Sequence, residues 1–345
     1  MTKSVTIVGG GLAGLTLGIG LLQRGVPVTL WEAGRYPHHR VCGEFISGRG
    51  LESLDRLGLR VALEAAGAVV AHTATFFSTT SSARPRALPF PALCLSRHVL
   101  DELLAKEFCK LGGELRAGER WLGKEFPEGV VRAMGRRAQG DENGARWFGL
   151  KAHARNVALT ADLEMHVAPN GYVGLCRIND GAVNVCGLFR RGGGANDRGG
   201  AGWERLRGQP GSPLHQRLGA VEFDSESLCA VAGLSLRSHR AGERDEFCVG
   251  DAITMIPPVT GNGMSMAFES AELAIEPLTR WSRDEVAWPV AKQTFARRCD
   301  TTFARRLAWA RCLQTLVLSA TWQRSLVFLA GRSEFLWRFW FGRTR

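Results

Sequence analysis

The chain has 345 residues, 45% of them hydrophobic, so it can bury a large core in one large domain or two intertwined ones. Its nine cysteines are scattered, which excludes the spacing of a disulfide framework or a zinc site and fits a reducing cytoplasm. The formal net charge is +11, but the sequence contains no long basic run and no recognised nucleic-acid-binding module. We therefore expect no nucleic-acid partner and no metal site.

The N-terminal segment predicts a strand, a glycine turn and a helix. The apolar run 5–8 suits a buried parallel strand, and glycines in the Gly-x-Gly-x-x-Gly spacing follow it. In this motif the first glycine permits a tight turn, the second admits a pyrophosphate and the third lets the helix pack on the strand. The helix start also favours negative charge. We expect a dinucleotide to be held by Gly9, Gly11, Leu12, Ala13 and Gly14.

A second strand, residues 27–31, is expected to end at Glu32. A carboxylate at that position can accept hydrogen bonds from both hydroxyls of an adenosine ribose and would repel a 2′-phosphate. The residue type therefore favours FAD or NAD over NADP at this site. The uncharged run 5–22 is nearly long enough to span a bilayer, but its glycines and the missing cleavage site argue against a membrane helix or a signal peptide.

The next loop carries the first family resemblance. An Ala-Gly-x-x-Pro segment begins at Ala33, and Arg40 and Cys42-Gly43-Glu44 follow it. This pattern resembles the geranylgeranyl-reductase branch of the group A flavoprotein monooxygenase superfamily. The resemblance implies that the loop runs along the flavin, that Arg40 holds the cofactor's ribose or phosphates, and that Cys42 could face the reaction chamber. A solvated arginine and a buried apolar thiol are the alternatives.

The following 70 residues predict mixed structure. Residues 48–63 suggest a helix, 68–77 a β-like stretch, and 78–91, rich in Ser, Thr, Arg and Pro, a hairpin tip or loop. A helix then begins after Ser96 with an Arg-x-x-Leu-Asp-x-x-Leu pattern, which resembles the superfamily's helix that re-enters the FAD domain. The resemblance makes Arg97 a candidate cofactor contact, with a solvated helix-start arginine as the alternative.

Residues 113–116 suit the third strand of a dinucleotide fold, beside the adenine pocket. Residues 129–135 then resemble the superfamily's strand that ends in an Asp-Gly pair, but Met134 stands where the aspartate would be. In hydroxylases that aspartate supports the cofactor phosphates and the approach of NADPH. The departure leaves open how a reduced nicotinamide docks here.

The middle of the chain has the pattern of an antiparallel sheet. We predict consecutive antiparallel strands at four stretches, 147–151, 159–167, 171–178 and 182–189. A sheet of this kind inserted into a dinucleotide fold resembles the superfamily's substrate domain. Tyr172 lies in a Gly-Tyr-x-Gly segment similar to a reductase strand that crosses above the isoalloxazine, so its hydroxyl could orient a substrate; a core tyrosine is the alternative. The glycine- and arginine-rich stretch 190–202 predicts a mobile loop.

A second flavin motif follows at 246–264. A short strand ends in Gly-Asp, and a Pro-x-Thr-Gly-x-Gly turn leads into a helix. This arrangement resembles the superfamily's second flavin motif at the same internal spacing. It implies that Asp251 holds the ribityl hydroxyls and that backbone N–H groups of the turn face the negative charge of the reduced flavin. The implied contacts are Gly250, Asp251, Pro258, Gly261, Asn262, Gly263 and Met264.

From Trp281 onward the chain predicts helices rich in arginine and in large apolar residues. The uncharged run 312–322 is too short to span a membrane. Two interpretations stay open for this region. The helices could close over the substrate domain, or they could form a basic, tryptophan-bearing surface for peripheral contact with a membrane or a greasy substrate.

We therefore predict an α/β fold: an FAD-binding, Rossmann-like domain of the glutathione-reductase type with an inserted antiparallel β-sheet and a helical C-terminus. The expected boundaries are 1–67, 95–147 and 243–280 for the FAD domain, 68–94 and 148–242 for the substrate domain, and 281–345 for the helices. FAD is the expected cofactor. NAD(P)H is expected as a transient reductant, because no second Gly-x-Gly-x-x-Gly motif is present.

The resemblance implies an oxidoreductase acting on a hydrophobic small molecule. The cysteine usage predicts a cytoplasmic location, with peripheral contact with a membrane left open, and the sequence leaves the oligomeric state open. Hydroxylation of an aromatic or polyketide-type substrate is slightly favoured over reduction of isoprenoid double bonds, because the strand at 187–189 lacks the reductases' Phe-Pro signature. Halogenation is disfavoured, since no lysine lies in 71–91 and the Trp-x-Trp-x-Ile-Pro motif is absent. A flavin-bearing protein that only binds a lipid or a partner is the non-enzymatic alternative.

Overall fold

The computed structural model describes residues 2–136, 146–168, 170–191, 202–319, 321–322 and 332–343. The strands within these ranges are β1 Val5–Val8, β2 Val28–Glu32, β3 Phe45–Ile46, β4 Val69–Phe77, β5 Arg86–Cys94, β6 Glu114–Ala117, β7 Val130–Arg132, β8 Arg146–Ala154, β9 Leu163–Ala168, β10 Gly171–Arg177, β11 Val183–Arg191, β12 Phe223–Leu234 and β13 Phe247–Cys248. The α-helices are α1 Leu12–Leu22, α2 Arg49–Arg56, α3 Arg60–Ala65, α4 Arg97–Lys110, α5 Pro213–Leu218, α6 Gly263–Ser282, α7 Trp288–Leu318 and α8 Glu334–Arg343.

The first sheet is parallel, in the order β13-β7-β1-β2-β6. The central strand β1 is largely apolar and buried, as in sheets covered by helices, whereas the edge strand β6 carries the more exposed Glu114 and Arg116. The central strand β1 ends at Val8, and the glycine turn follows directly. Ligands of open parallel sheets bind beyond the carboxyl ends of the strands, so the turn lies where a dinucleotide would bind. The predicted fold class is confirmed.

Helix α1 is buried almost all round. Its leucines and isoleucine at positions 15, 17 and 19 have no solvent exposure, and it packs against both α4 and α6. A Cβ atom on Gly18 would lie 2.5 Å from the Phe108 ring, and one on Gly20 would lie 2.2 Å from Ile275. These glycines therefore let two helices approach α1 closely, which explains why the run 5–22 is uncharged without spanning a membrane.

The second sheet has the order β12-β8-β11-β10-β9-β4-β5-β3. The predicted strands form, but their expected consecutive pairing is wrong in one place: β8 pairs with β11 and β12, and β9 pairs with β10 and, in parallel, with β4. Residues 155–162 carry the chain across the intervening strands between β8 and β9. The parallel pairing places β4 and β5 on the same curved surface as the later strands.

Two other local predictions need correction. The segment 78–91 is not all loop, because β5 begins at Arg86. The two prolines within β5, at positions 89 and 91, are tolerated because β3 pairs only with Leu93 and Cys94 and leaves this part of the strand edge without a partner strand. The helix predicted over 48–63 is two helices, interrupted where Gly58 adopts a left-handed conformation with φ of +69°. Of the stretch 190–202, residues 192–201 lie outside the described part of the chain.

The C-terminal helices pack on the second sheet. Val317 of α7 belongs to a buried cluster with Tyr172, and Trp337 of α8, only 2% exposed, donates its indole N–H to the Ala87 carbonyl at 2.9 Å. These contacts match the interpretation that the helices close over the sheet. Among the residues described, no helix is long and apolar enough to cross a membrane. Peripheral contact with lipid stays a prediction.

Candidate functional site

The glycine turn leaves one stretch of backbone open to a ligand. A Cβ atom on Gly9, whose φ is +114°, would lie 2.4 Å from the carbonyl of Ala133, and one on Gly14 would lie 1.9 Å from the Gly9 oxygen. Around the Cβ position of Gly11, by contrast, no described atom lies within 4 Å. The first and third glycines therefore serve packing, while the second leaves room for a pyrophosphate, as the motif predicts.

Leu12 and Ala13 are predicted contacts whose side chains are buried in the core cluster, so a ligand would meet their backbone. Met264, at the start of α6, is buried in the same cluster. A Cβ atom on Gly250 would lie 2.7 Å from the Ala13 Cβ. The two flavin motifs, far apart in sequence, therefore touch each other at the start of α1.

Glu32 holds the turn from the end of β2. One carboxylate oxygen accepts the Gly10 N–H at 2.6 Å, and the other accepts the Gly34 N–H at 2.8 Å. Ala33, a predicted contact, lies between Glu32 and Gly34 in the loop. Each carboxylate oxygen has a further lone pair, so the group keeps acceptor capacity for ribose hydroxyls. The guanidinium of Arg40 lies 3.6 Å from it.

Tyr36 is a contact that the sequence analysis missed. Its hydroxyl donates to the Gly10 carbonyl at 2.5 Å, and burial together with the nearby charge of Glu32 raises its pKa, so it stays protonated. A Cβ atom on Gly10 would lie 2.0 Å from the Tyr36 hydroxyl. Glu32 thus accepts the N–H of Gly10, and Tyr36 donates to the carbonyl of the same residue. No pattern in the sequence signals the Tyr36 contact.

Arg97 and Arg40 meet at one aspartate. Arg97 is 9% exposed and binds Asp101 with two nitrogens, at 2.6 and 2.7 Å, and Arg40 donates to the same carboxylate at 3.3 Å. The Asp101 side chain is fully buried. Arg97 is therefore not a solvated helix-start residue, and Arg40 bridges Glu32 and Asp101. Contact of either arginine with the cofactor remains a prediction.

Asp251 presents a carboxylate for which the described residues provide no hydrogen-bond donor. Burial raises its pKa to about 6, against the opposing charges of Arg136 and Arg97. The Gly250 N–H before it is fixed by the Ser270 hydroxyl at 2.9 Å. Asp251 is half-buried, and its carboxylate keeps free acceptor sites, so it fits a ligand that brings donors, such as ribityl hydroxyls.

The turn before α6 exposes the start of that helix. Pro258 begins a single 3-10 turn that ends at Gly261, which adopts a left-handed conformation with φ of +64°. Asn262 is the N-cap and is 1% exposed, whereas no described atom lies within 4 Å of the Cβ position of Gly263. The open helix start can face an anion or the pyrimidine edge of a reduced flavin. Together with Gly11 and Asp251, this geometry fits FAD.

Cys42 lies beside a buried polar cluster. Its thiol accepts the Glu44 N–H at 3.4 Å, and burial raises its pKa, so the group is a thiol and not a nucleophilic thiolate. Glu44 has a left-handed backbone, with φ of +57°, and is fully buried. Such conformations in non-glycine residues cost free energy and persist where the surroundings fix them.

Three donors fix the Glu44 carboxylate: the Arg97 N–H at 2.9 Å, the His153 ring at 2.7 Å and the Lys151 ammonium at 3.3 Å. Lys151 is itself fully buried and donates to His39 at 3.0 Å. Burial and the neighbouring ammonium lower the His39 pKa to about 4, so this ring stays neutral. The sequence signal for this cluster was the pair of polar residues alternating with Leu150, Ala152 and Ala154 along β8.

The ligating atoms of His39, Glu44 and His153 lie within 4.8 Å of one another, which is a grouping able to hold a metal ion. The Lys151 ammonium already lies within hydrogen-bonding distance of two of them. A cation of the protein itself therefore balances the carboxylate charge. We interpret the cluster as an ion-pair network that fastens the loop 38–44 to the second sheet.

Tyr172 faces an apolar cluster on the other part of the same sheet. Its neighbours are Val167, Leu188, Leu234, Val259 and Val317. The Tyr172 hydroxyl has no hydrogen-bond partner among the described residues, and neither has the amide nitrogen of Gln314, whose oxygen accepts the Val259 N–H at 3.4 Å. These side chains are 6% and 5% exposed. The Tyr172 hydroxyl and the Gln314 amide nitrogen are thus two unsatisfied polar groups beside Val259, in the turn that precedes α6.

Comparison with known proteins agrees with this geometry. Residues 2–146 match the FAD binding domain family. The probable FAD-dependent monooxygenase PqsL from Pseudomonas aeruginosa is similar in structure, with a TM-score of 0.70 and 17% identity over 94% of this chain and 99% of that one. No curated protein gives a significant sequence match.

Two further solved structures share the fold. A geranylgeranyl bacteriochlorophyll reductase-like protein from Thermoplasma acidophilum has a TM-score of 0.74 and 18% identity, over 96% of this chain and 92% of that one. The myxobacterial chondrochloren halogenase CndH also has a TM-score of 0.74 and 18% identity, over 99% and 90%. Residues 2–146 thus form an FAD binding domain, and the chain shares its fold with solved flavoproteins that include a probable FAD-dependent monooxygenase, a halogenase and a reductase-like protein.

Proposed function

We propose that the protein is an NAD(P)H- and O₂-dependent monooxygenase that hydroxylates an aromatic or polyketide-type molecule. The observation that carries this proposal is the pair of unsatisfied polar atoms, on Tyr172 and Gln314, in an apolar cluster beside the turn 258–263. A substrate with apolar rings and one or two oxygens would satisfy both groups, because a hydroxyl and an amide nitrogen can donate to such oxygens.

In this proposal the chain holds FAD through Gly11, Glu32, Asp251 and Gly263. When bound, FAD supplies the redox chemistry, namely uptake of a hydride and activation of oxygen. The protein's own contribution is to orient the substrate oxygens with the two polar groups and to exclude water. The valines and leucines of the cluster around Tyr172 suit that second task, because oxygen activation by flavoenzymes depends on a dry chamber.

Reduction of an isoprenoid double bond is the second candidate. It is favoured by the Cys42-Gly43-Glu44 segment and by the apolar residues that the C-terminal helices bring to the sheet, such as Trp337 and Phe341. Halogenation stays disfavoured although a halogenase shares the fold, since the lysine and tryptophan motif named above is missing. We rank hydroxylation first because the Tyr172 hydroxyl and the Gln314 amide can donate hydrogen bonds to the oxygens of an aromatic substrate.

The deciding experiment is to reduce the FAD-loaded protein with NADPH without oxygen and then to add one co-reactant at a time. With a resorcinol-type phenol, we expect flavin reoxidation and ring hydroxylation only when oxygen is admitted. With a prenyl lipid and no oxygen, we expect the flavin to stay reduced. Reoxidation by the prenyl lipid under anaerobic conditions would replace this proposal with the reductase. Failure of NADH and NADPH to reduce the flavin would support the non-enzymatic alternative.

Removing the polar pair is expected to weaken substrate binding without loss of flavin. For Tyr172→Phe or Gln314→Leu we expect a loss of about 1 kcal/mol, or roughly fivefold in kcat/KM, because each variant removes one hydrogen bond to the substrate. Steady-state hydroxylation kinetics and the flavin absorbance of the purified protein are the measurements. Thr315→Val, on the exposed side of the same helix, is the matched control. Unchanged kcat/KM in both variants would contradict the proposed substrate contact.

A further inference from the structure

The last part of the chain carries a large share of the molecule's positive charge. Residues 301–345 contain eight arginines, no lysine and one acidic residue, Glu334, so they account for +7 of the formal net charge of +11. This acid is already engaged, because Glu334 forms ion pairs with Arg86 and with Arg338, each at 2.8 Å. The second half of α7 and the whole of α8 therefore present a surplus of cations.

Three arginines of these helices have no carboxylate partner among the residues that the structure describes. Two of them, Arg305 and Arg311, lie exposed on α7. The third is Arg343 at the end of α8, whose guanidinium lies 5.0 Å from the centre of the Phe339 ring and 5.9 Å from that of Trp309. Within the described chain, the charge of these three groups is thus left without a counter-ion.

Aromatic side chains lie beside these arginines. Phe335 is 75% exposed and stacks on Phe339 with ring centres 6.1 Å apart, and Phe339 meets Trp309 of α7 edge-on at 5.5 Å. Helical spacing places Phe335 and Phe339 on one side of α8, whereas Trp337 between them is buried against β5. By the same spacing, Arg305 lies one turn before Trp309 on α7. We call this group of residues the C-terminal surface: Arg305, Trp309, Arg311, Phe335, Phe339 and Arg343.

We propose that the C-terminal surface binds an anionic phospholipid bilayer. The arginines attract the negatively charged headgroups, and the Phe335 and Phe339 rings enter the boundary between headgroups and acyl chains. Arginines and aromatic rings together suit this boundary, because it is wet and charged on one side and apolar on the other. Burial in the boundary also removes the exposed Phe335 ring from water.

Two other occupants fit the C-terminal surface less well. A second copy of the chain would bring two surfaces of the same positive charge together, which is unfavourable. A nucleic acid would pair with the arginines, but base stacking needs open ring faces. Here Arg343 lies over Trp309 and Phe339, and Phe335 stacks on Phe339. The bilayer would lie within one helix diameter, roughly 10 Å, of Gln314 on the buried side of α7, yet the inference does not depend on the proposed hydroxylation.

The test is sedimentation of the FAD-loaded full chain with two kinds of vesicle. One kind is phosphatidylcholine alone, and the other is an equal mixture of phosphatidylcholine and phosphatidylglycerol. The first variant, Arg305→Gln with Arg311→Gln, removes two charges from the surface. The second variant, Phe335→Ser, removes the most exposed ring. A titration of each protein with vesicles gives its dissociation constant.

Matched controls come from the loop after β6. Arg120→Gln with Lys124→Gln removes the same amount of charge from exposed positions, and Leu122→Ser changes an apolar side chain that is 86% exposed. Circular dichroism establishes that each variant is folded, which is expected because every altered side chain is exposed. Should Phe335→Ser not fold, the arginine variant decides by the same criterion.

We expect the wild type to sediment with the anionic vesicles and not with phosphatidylcholine alone, and to bind less tightly at about 1 M salt because the charges are screened. The arginine variant should bind about 25-fold more weakly, at about fivefold for each charge near the membrane. Phe335→Ser should bind about fivefold more weakly, because a ring is lost from the boundary. The controls should bind as the wild type does.

Absence of wild-type binding to the anionic vesicles would overturn the proposal, and so would losses in the two variants no larger than those in the controls. Tighter binding to polyuridylate than to these vesicles in the same buffer would replace it with a nucleic-acid surface. A dimer that Phe335→Ser dissociates, without lipid binding, would replace it with a contact between copies of the chain. A wild type that binds the vesicles yet hydroxylates nothing would refute only the proposed function.

Discussion

Replacing Glu44 by glutamine is expected to lower the free energy of unfolding by about 3–5 kcal/mol, because the Lys151 ammonium would stay buried without its counter-charge. Both side chains are fully buried, and the Glu44 carboxylate also binds the His153 ring at 2.7 Å. The measurement is equilibrium unfolding of the flavin-free protein in urea. Glu64→Gln, which breaks the exposed ion pair with Arg60, is the control and should cost under about 1 kcal/mol.

A second variant separates charge from shape at this site. In Glu44→Gln with Lys151→Met, no buried charge is left unpaired, so the double variant should recover much of the lost stability. If the double variant is as unstable as the sum of the single ones, the interpretation as an ion-pair network is wrong. The Glu44 pKa is lowered in the fold by the donors around it. Its contribution is therefore present above the unfolded-state pKa and is lost as the pH falls through the lower, folded-state pKa.

Asp251→Asn is expected to raise the FAD dissociation constant by about 10- to 100-fold, because a charged acceptor for the ribityl hydroxyls contributes roughly 1.5–3 kcal/mol. Asparagine keeps the shape and removes the charge. Fluorescence titration of the flavin-free protein measures the constant. The control Asp284→Asn changes an exposed aspartate whose left-handed backbone an asparagine also tolerates. An unchanged constant would remove Asp251 from the cofactor site.

The raised pKa of Asp251, about 6, gives this prediction a pH dependence. The folded, flavin-free protein prefers the protonated acid, so this contribution to stability is present below the unfolded pKa and is lost as the pH rises through about 6. The flavin-free wild type should therefore be less stable at pH 7.5 than at pH 5 by an amount that Asp251→Asn reduces. FAD binding should follow the opposite trend, tightening across the same range as the acceptor becomes ionised.

The parts of the site that could be predicted from sequence are those whose function depends on local geometry. A Cβ atom at Gly9 or Gly14 would lie less than 3 Å from backbone atoms, whereas the space beside Gly11 is open for a ligand. The spacing of the three glycines is therefore enough to identify the turn. Ser96 caps α4 as expected, accepting the Val99 N–H at 3.2 Å. Each of these requirements is met within one turn of the chain or one strand–helix unit.

The parts that could not be predicted depend on contacts between distant segments. Glu44 and His153 are 109 residues apart, and nothing in a loop glutamate indicates that a strand histidine will meet it. Gln314 is one polar residue on a long helix until the fold places it against Val259. The strand order of the second sheet is also non-local, because the parallel pair of β4 and β9 joins segments on either side of the FAD domain's strands β6 and β7.

The interleaving of the two sheets has a consequence for the order in which the protein can fold during its synthesis. The Lys3 N–H pairs with the Ser282 carbonyl at 2.7 Å, and α1 packs on α6, so the first helix to leave the ribosome is among the last to be covered. Until then its apolar surface depends on transient contacts or on a chaperone. A chain that stops at residue 146 would lack Asp251, β13 and the turn before α6, so we expect it to be insoluble and unable to retain flavin. We therefore expect FAD to bind only late in folding, and we expect a shortage of FAD to lower the amount of folded protein in the cell.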